Sequence, residues 1–213
     1  METYIYGDIN ADIVLLQAVD DHDLEGLDNE VKLIGEMTDS PFCLRALRVD
    51  SWNNDLSPWK APAVFGNEDF GGGGGVFLQK FIRLIDERAS NRTYIMGGYS
   101  LAGLFALWAG FETDLFAGVA AASPSVWFPG FTDYVKGKEI STEAVYLSLG
   151  DKEAKTRNPV MSKVADNIRD IHEILIQRGV HCTLEWNSGN HFKDPDVRTA
   201  KAFSYVINRC RAR

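Results

Sequence analysis

The chain has 213 residues, of which 45% are hydrophobic and 24% charged, values typical of a globular domain and not of a disordered chain. Its formal net charge of −8 argues against nucleic acid and anionic membranes as partners. No run of about 18 apolar residues, the length needed to span a bilayer, is visible, and neither is a secretory signal. Three cysteines at no metal-like spacing suit a reducing compartment, so the composition predicts one cytoplasmic domain over residues 1–213, without a metal or other cofactor.

The first part of the chain alternates between apolar runs and helical periodicity. Strands are predicted at residues 3–6, 12–19 and 42–49, helices at 27–37 and 76–88, and loops at 20–23 and 50–75. The acidic loop 20–23 resembles a set of metal ligands, but a solvated surface loop is the preferred interpretation. The five successive glycines at 71–75 predict a flexible loop and not a phosphate cradle, because no Gly-Lys-Ser/Thr follows them.

A strand, a sharp turn and a helix are predicted next, with one serine at the turn. The strand covers residues 93–97, the helix covers 101–108, and Ser100 lies between them. Gly98, Ala102 and Gly103 surround the serine, a small-residue version of the GxSxG pattern. Such a turn needs small residues because its two arms nearly touch, and it presents the serine hydroxyl above the edge of the sheet. The pattern predicts a nucleophilic serine.

Strands and helices continue to alternate behind this turn. Strands are predicted at residues 116–121, 144–149 and 180–186, with a loop at 123–142. One helix begins at Asn158 and Pro159 and ends at Arg178-Gly179, and a closing helix has Asp194 as its N-cap. Strands separated by helices predict a mainly parallel sheet covered on both faces, with ligands bound at the carboxyl ends of the strands.

A nucleophilic serine requires a base, and the base requires an acid. The chain has only four histidines. His191 follows the last predicted strand in a polar loop, whereas the others lie in a helix, at the start of a strand or upstream of the serine. Asp151 and Glu153 both follow the strand 144–149, which gives the order serine, acid, histidine. Both carboxylates remain candidates. Glu153 is preferred because its longer side chain reaches further from a loop.

The remaining parts of the predicted site are an oxyanion hole and a substrate pocket. The backbone N–H of Leu101, directly after the serine, is one predicted oxyanion donor, and the second is expected near Asp20 or Asp21. The loop 123–142, about 20 residues long, is too short for an independent cap domain. An open, shallow site is therefore expected. Its candidate substrate-binding residues are the loop aromatics Trp52, Trp59, Trp127 and Phe128, with Phe131 in the same wall.

Two segments resemble a known group of esterases. Gly98-Tyr-Ser-Leu-Ala-Gly-Leu-Phe-Ala-Leu and Phe116-Ala-Gly-Val-Ala-Ala-Ala-Ser-Pro-Ser-Val-Trp127 are similar to the α/β-hydrolase group that includes esterase D and the enterochelin esterase-like proteins. The resemblance covers roughly residues 13–207. It implies Ser100 as nucleophile, His191 as base and a carboxylate after Leu149, with the group's usual spacing favouring Glu153. The chain departs from the group at Ala102, where glycine is usual, and in its trimmed N-terminal strands.

The expected fold is thus an α/β-hydrolase fold with a mostly parallel sheet, helices on both faces, trimmed N-terminal strands and no cap domain. The expected function is that of a serine carboxylesterase acting on a small-molecule acyl ester through an acyl-enzyme. An acyltransferase using the same triad is the alternative within this class. A non-catalytic binding protein of the same fold is the alternative from another class. The oligomeric state stays open.

Overall fold

A seven-stranded sheet runs through the residues that the computed structural model describes, 2–85 and 92–210. In chain order the strands are β1 (Thr3–Gly7), β2 (Ile13–Val19), β3 (Phe42–Arg48), β4 (Lys60–Ala61), β5 (Phe70–Gly71), β6 (Thr93–Tyr99), β7 (Gly118–Ala122), β8 (Ala144–Gly150) and β9 (His181–Asn187). The large sheet has the order β1-β3-β2-β6-β7-β8-β9, while β4 and β5 form a separate ribbon. Only the edge strand β1 pairs in antiparallel fashion within the large sheet, so the predicted mostly parallel sheet with a trimmed N-terminal side is confirmed.

Helices cover both faces of this sheet, as predicted. They are α1 (Asp21–Met37), α2 (Trp52–Asp55), α3 (Gly74–Ile82), α4 (Ser100–Glu112), α5 (Phe131–Gly137), α6 (Val164–Gln177) and α7 (Pro195–Cys210). Leu27 of α1 and Phe203 of α7 pack with Leu15 of β2 on one face. Leu104 of α4 and Ile168 of α6 pack on the other face. Because side chains of a strand alternate between faces, one buried strand supplies both cores.

The helix α1 begins earlier than the sequence predicts. Asp20 is its N-cap, and its carboxylate accepts hydrogen bonds from the backbone N–H groups of His22 and Asp23. The carboxylate of Asp23 in turn accepts from the N–H of Asp20 at 3.1 Å. This reciprocal arrangement is a capping box, with aspartate in the position that glutamate usually occupies. The predicted acidic loop 20–23 is therefore wrong, since its residues form the cap and first turn of a helix.

The segment predicted as a long loop, 50–75, contains α2, β4, β5 and the start of α3. Its glycines serve close packing. A Cβ at Gly71 or Gly73 would lie within 3 Å of the side chain of Asn54. The backbone carbonyl of Asn54 also accepts a hydrogen bond from the Gly73 N–H. Helix α3 ends at Ile82, earlier than predicted, and the predicted helical residues 86–88 lie outside the described residues.

Helices α6 and α7 begin close to the residues that the sequence predicts as their caps. Asn158 accepts hydrogen bonds from the N–H groups of Val160 and Met161, but the chain passes through a 3-10 turn before α6 starts at Val164. Helix α7 starts at Pro195, directly after the predicted cap position Asp194.

The segment 123–142 holds only the seven-residue helix α5 and builds no cap domain. Within the described residues, no helix is long and apolar enough to cross a membrane.

Candidate active site

Ser100 lies at a tight turn between β6 and α4 and has a φ of 56°. This left-handed conformation is uncommon for a residue with a Cβ and costs on the order of 1–3 kcal/mol. The turn closes only because its neighbours are small. A Cβ at Gly98 would lie 2.8 Å from the Cβ of Ala102, and a Cβ at Gly103 would lie 2.9 Å from the carbonyl oxygen of Gly98. The turn therefore holds the Ser100 hydroxyl at the carboxyl edge of the sheet.

A continuous chain of hydrogen bonds joins three side chains at this edge. The Oγ of Ser100 lies 2.9 Å from Nε2 of His191, and Nδ1 of His191 lies 2.7 Å from Oε2 of Glu153. The residues come from the loops after β6, β9 and β8, so the parallel topology brings them together. With Glu153 ionised, Nδ1 donates to the carboxylate. The free Nε2 then accepts the proton of the serine hydroxyl.

The second candidate acid, Asp151, occupies a different place. Its side chain is exposed and accepts a hydrogen bond from the backbone N–H of Gly189 at 2.7 Å. It thereby ties the loop after β8 to the loop that carries His191. Glu153, in contrast, is buried against the imidazole, with its side chain only 4% exposed. The geometry of a triad acid is that of Glu153 and not of Asp151.

A buried arginine, Arg198 of α7, is the main residue of the site that the sequence analysis missed. Its guanidinium is 2% exposed and lies 2.9 Å from Oε1 of Glu153. The same carboxylate oxygen accepts from the hydroxyl of Ser123 at 2.9 Å and from the N–H of Gly150 at 2.6 Å. The periodicity of α7 could have revealed it, because Arg198 precedes the buried Ala202 and Val206 at intervals of four residues.

Tyr99, the residue before the serine, links the arginine to the histidine loop. Its hydroxyl donates to the backbone carbonyl of His191 at 2.7 Å and accepts from Arg198 at 3.2 Å. Burial raises the pKa of Tyr99 to about 12, so the phenol is neutral and remains a donor at physiological pH.

The predicted oxyanion donors lie at the starts of two helices. Leu101 is in the first turn of α4 and Asp21 is the first residue of α1, positions where the backbone N–H has no acceptor within the helix. The N–H of Asp20 is already bonded to Asp23, which excludes Asp20 as the second donor. The carboxylate of Asp21 is turned to the surface, where it pairs with Arg48 at 2.8 Å. The roles of Leu101 and Asp21 stay predictions.

An adjoining cavity of about 370 Å³ opens on the serine and the histidine. Its polar lining comes from the site itself and from Ser125, whose hydroxyl is 3.3 Å from that of Ser100. The apolar side chains of its lining are Trp52, Phe65, Pro124, Trp127, Met161, Val164 and Phe192. Phe65, Met161, Val164 and Phe192 were missed by the sequence analysis, although the position of Phe192 directly after the histidine is a signal. Phe192 is 86% exposed and stands at the rim.

Two of the predicted substrate-binding aromatics are structural instead. Trp59 stacks on Phe131, and its Nε1 donates to the carbonyl of Pro129 at 3.0 Å. Phe128 is 2% exposed and packs edge-on against Trp59 and Phe70. Phe131 is fully buried, so it forms no wall of the cavity. The prediction was wrong for these residues because their side chains pack against one another in the core behind the site.

The described residues, 2–85 and 92–210, contain no group of three or more His, Cys, Asp or Glu side chains placed to hold a metal ion. The acidic segment after β2, which resembles a ligand set in the sequence, is used for helix capping and for the pair between Asp21 and Arg48.

The strand order, the helices on both faces and the serine between β6 and α4 define an α/β-hydrolase fold. No protein-family model and no curated protein sequence matches the chain. Solved structures do. The IroE-like serine hydrolase from Shewanella oneidensis is 15% identical, with a TM-score of 0.75, over 97% of this chain and 75% of that one.

Two further similar structures are named as esterases or hydrolases. The siderophore hydrolase EstA from Aspergillus nidulans is 19% identical, with a TM-score of 0.64, over 95% of this chain and 85% of that one. The enterobactin esterase FES from Shigella flexneri, in the presence of enterobactin, is 14% identical, with a TM-score of 0.69, over 97% of this chain and 55% of that one. At these identities the similarity establishes the fold alone. The predicted α/β-hydrolase fold is confirmed, and the activity has to be argued from the site.

Proposed function

We propose that the protein is a serine hydrolase that cleaves carboxylic esters, with Ser100 as nucleophile, His191 as general base and Glu153 as the acid that orients the base. The observation that carries this proposal is the unbroken contact from Ser100 to His191 to Glu153, at 2.9 and 2.7 Å. The left-handed backbone of Ser100 adds weight, since such strain is retained where the surrounding structure and function require it.

The proposed reaction has two halves. His191 takes the proton of Ser100 as the hydroxyl attacks the acyl carbon, and then delivers that proton to the departing alcohol. The acyl-enzyme that remains is cleaved by water, which His191 activates in the same way. Glu153 stabilises the imidazolium and fixes its tautomer. The N–H groups of Leu101 and Asp21 are the proposed oxyanion donors, and loss of one such donor typically costs about 3 kcal/mol in the barrier.

The proposed substrate is a small-molecule ester with an apolar or aromatic acyl group. The cavity beside Ser100 is lined mainly by apolar side chains, with the indoles of Trp52 and Trp127 among them. The similar structures named above include hydrolases of siderophores and of enterobactin, which supports a small-molecule ester as the substrate class. The open rim at Phe192 leaves room for a leaving group that extends into solvent.

The proposal predicts that a fluorophosphonate probe labels the wild-type protein on Ser100, because only an activated serine reacts. Ser100→Ala should lose all labelling and reduce hydrolysis of p-nitrophenyl esters to below a few per cent of wild type. Its melting temperature should stay nearly unchanged, since His191 is 27% exposed and can bind water instead of the hydroxyl. Labelling is measured by gel fluorescence and located by peptide mass spectrometry.

Ser162→Ala is the matched control, because Ser162 lies in the 3-10 turn before α6 and its hydroxyl donates only to the backbone carbonyl of Pro159. It should label and turn over as wild type does. A wild-type protein that fails to label would favour the non-catalytic binding protein. Labelling accompanied by faster acyl transfer to an added alcohol than to water would favour the acyltransferase. Label on a residue other than Ser100 would overturn the assignment of the nucleophile.

A further inference from the structure

Four segments that build the candidate active site converge on one side chain, the guanidinium of Arg198. Its Nη1 lies within hydrogen-bond distance of Tyr99 and Ser123, in addition to Glu153. Its Nη2 lies 3.3 Å from the carbonyl of Ser188 and 3.1 Å from that of Asn190. These partners lie at the end of β6, after β7, after β8 and in the loop that carries His191. Each proposed triad residue is therefore within two residues of an arginine contact or makes one itself.

The chemistry of these contacts requires arginine. A guanidinium offers a planar fork of five donors, whereas a lysine ammonium offers three donors from one point. The acceptors around Arg198 are a carboxylate, two hydroxyls and two backbone carbonyls on different segments. The side chain is 2% exposed, so water cannot replace these contacts. Removal of the arginine would leave two backbone carbonyls without this donor and the buried carboxylate of Glu153 without its guanidinium counterion.

The charge of the arginine acts on the relay as well as its shape. Glu153 is shared, with Oε1 facing Arg198 and Oε2 facing Nδ1 of His191. The guanidinium stabilises the ionised carboxylate on one side, which keeps the other oxygen available to the imidazole. The same fixed positive charge lies on the far side of Glu153 from the imidazole.

We propose that Arg198 is a positioning residue of this site, which holds Glu153 ionised and aimed at His191 and fixes the loop that carries the histidine. This inference rests on the proposed esterase function. It assigns the arginine no contact with substrate, since Arg198 does not line the cavity beside Ser100.

The other ionisable groups near the guanidinium are few and can be named. Tyr99 faces it from β6, Glu153 from the loop after β8, and His191 follows the loop carbonyls that it binds. Asp151 and Lys193 flank the same loop at Gly189, one through a hydrogen bond and the other through packing. Of these, only Glu153 forms an ion pair with the arginine.

The test compares Arg198→Lys and Arg198→Met with wild type, using kcat/KM for a p-nitrophenyl ester from pH 5 to 9. In Arg198→Met the midpoint of the acid limb should move to higher pH by about one unit or more, because the base loses a neighbouring positive charge. The value of kcat at pH 7 should fall at least about tenfold, with KM nearly unchanged. Arg198→Lys keeps the charge, so its midpoint should stay near that of wild type while kcat still falls.

Arg178→Met is the matched control. Arg178 also binds several carbonyls, those of Val135, Lys136 and Lys138. It lies before β9, at the amino ends of the strands, whereas the candidate site lies at their carboxyl ends. Its loss should lower the melting temperature without moving the acid limb. An Arg198→Met protein with the wild-type midpoint, or an equal shift in the control, would overturn the inference.

Two further outcomes remain decisive. If Arg198→Met does not fold, Arg198→Lys carries the test, and wild-type kcat in that variant would overturn the positioning role. If wild-type protein neither labels with fluorophosphonate nor hydrolyses esters, the proposed function fails and this inference fails with it. Wild-type labelling with unaffected Arg198 variants would leave the function intact and remove only the inference.

Discussion

Two glutamates of this protein have buried side chains in opposite electrostatic surroundings. The side chain of Glu153 is 4% exposed, and Glu30 is 4% exposed over the whole residue. Glu153 is contacted by a guanidinium, an imidazole, a hydroxyl and a backbone N–H. Glu30 has one partner on its Oε2, the amide of Gln17 at 3.4 Å, and the nearby charged groups that act on it are the carboxylates of Asp23 and Asp196.

The consequence for Glu30 is a change in its ionisation. Burial, reinforced by the neighbouring negative charges, raises the pKa of Glu30 well above its usual range, so it is held protonated where most carboxyl groups are ionised. Its Oε1 and the Oε1 of Gln17 have no hydrogen-bond partner among the described residues. The comparison shows that burial alone does not determine what a carboxylate does. The partners decide whether a buried carboxylate forms an ion pair, as Glu153 does with Arg198, or is held neutral, as Glu30 is.

The largest effect is expected when Glu153, the proposed triad acid, is replaced by its amide. Glu153→Gln should reduce kcat about 10³- to 10⁴-fold, as acid-to-amide changes do in serine triads, because the amide no longer stabilises the imidazolium. It should also destabilise the fold by about 3–5 kcal/mol, since Arg198 becomes a buried charge without a counterion. Steady-state kinetics and urea unfolding measure the two effects.

Asp151→Asn is the control for this experiment. An asparagine oxygen can still accept the hydrogen bond from Gly189, so activity should stay within a few-fold of wild type. If Asp151→Asn is inactive while Glu153→Gln turns over normally, Asp151 is the third member of the triad.

The same substitution at the other glutamate should have the opposite effect. Glu30→Gln supplies a neutral side chain whose N–H can reach the unpaired oxygen of Gln17. The folded-state pKa of Glu30 is raised. Its contribution to the free energy of unfolding is therefore fully present at low pH and is lost as pH rises through that pKa. We therefore expect Glu30→Gln to be more stable than wild type by about 1–3 kcal/mol at alkaline pH, and equal to it near pH 4.

Glu36→Gln provides the reference, because Glu36 is exposed on the same helix and forms only a surface pair with Lys32. Its stability should follow wild type at every pH to within about 0.5 kcal/mol. A Glu30→Gln protein that is less stable than wild type across the whole pH range would show that Glu30 is ionised and paired in the folded protein.

The sequence predicts the sheet well, and it places the three proposed triad residues after neighbouring strands, because these signals are local. The strands β6 and β8 are apolar runs, and β9 comes after the glycine that follows α6. Ser100 follows β6 directly, whereas Glu153 and His191 lie in the short loops after β8 and β9. The order of these residues along the chain restricts the candidates further. The choice between Glu153 and Asp151 is less local, since it depends on which side chain points inward from a turn.

The errors come from interactions between distant segments. Trp59 and Phe128 look like pocket residues in the sequence, but they pack on each other across the core, and no pattern within either segment shows this. The role of Arg198 depends on five partners from four other parts of the fold. The start of α1 is a different case, because a capping box with Asp23 in place of glutamate was present in the sequence.

The smallest expected effect concerns Asp23. Like Glu153 it accepts a backbone hydrogen bond, and like Glu30 it has a raised pKa. It is largely buried, and burial, followed by the charge of Asp20, raises the pKa of Asp23 from 3.8 to about 6. Because the folded-state pKa is the higher one, the stabilising contribution is fully present below about pH 4 and is lost as pH rises to about 6. The shift corresponds to at most about 3 kcal/mol, reduced by solvent screening.

Asp23→Asn should remove this loss, since an amide oxygen can still accept the N–H of Asp20 in the capping box. The absence of a negative charge at the start of α1 offsets about 0.3–1 kcal/mol of the gain. We therefore expect the variant to exceed wild type by about 0.5–1 kcal/mol at pH 7 and to match it near pH 4, where Asp23 is protonated in the folded protein and carries no charge. Urea unfolding at both pH values tests this, with Asp28→Asn on the exposed side of α1 as control. A variant less stable than wild type at pH 7 would mean that the charge of Asp23 serves the cap more than burial opposes it, which would place Asp23 with Glu153 and not with Glu30.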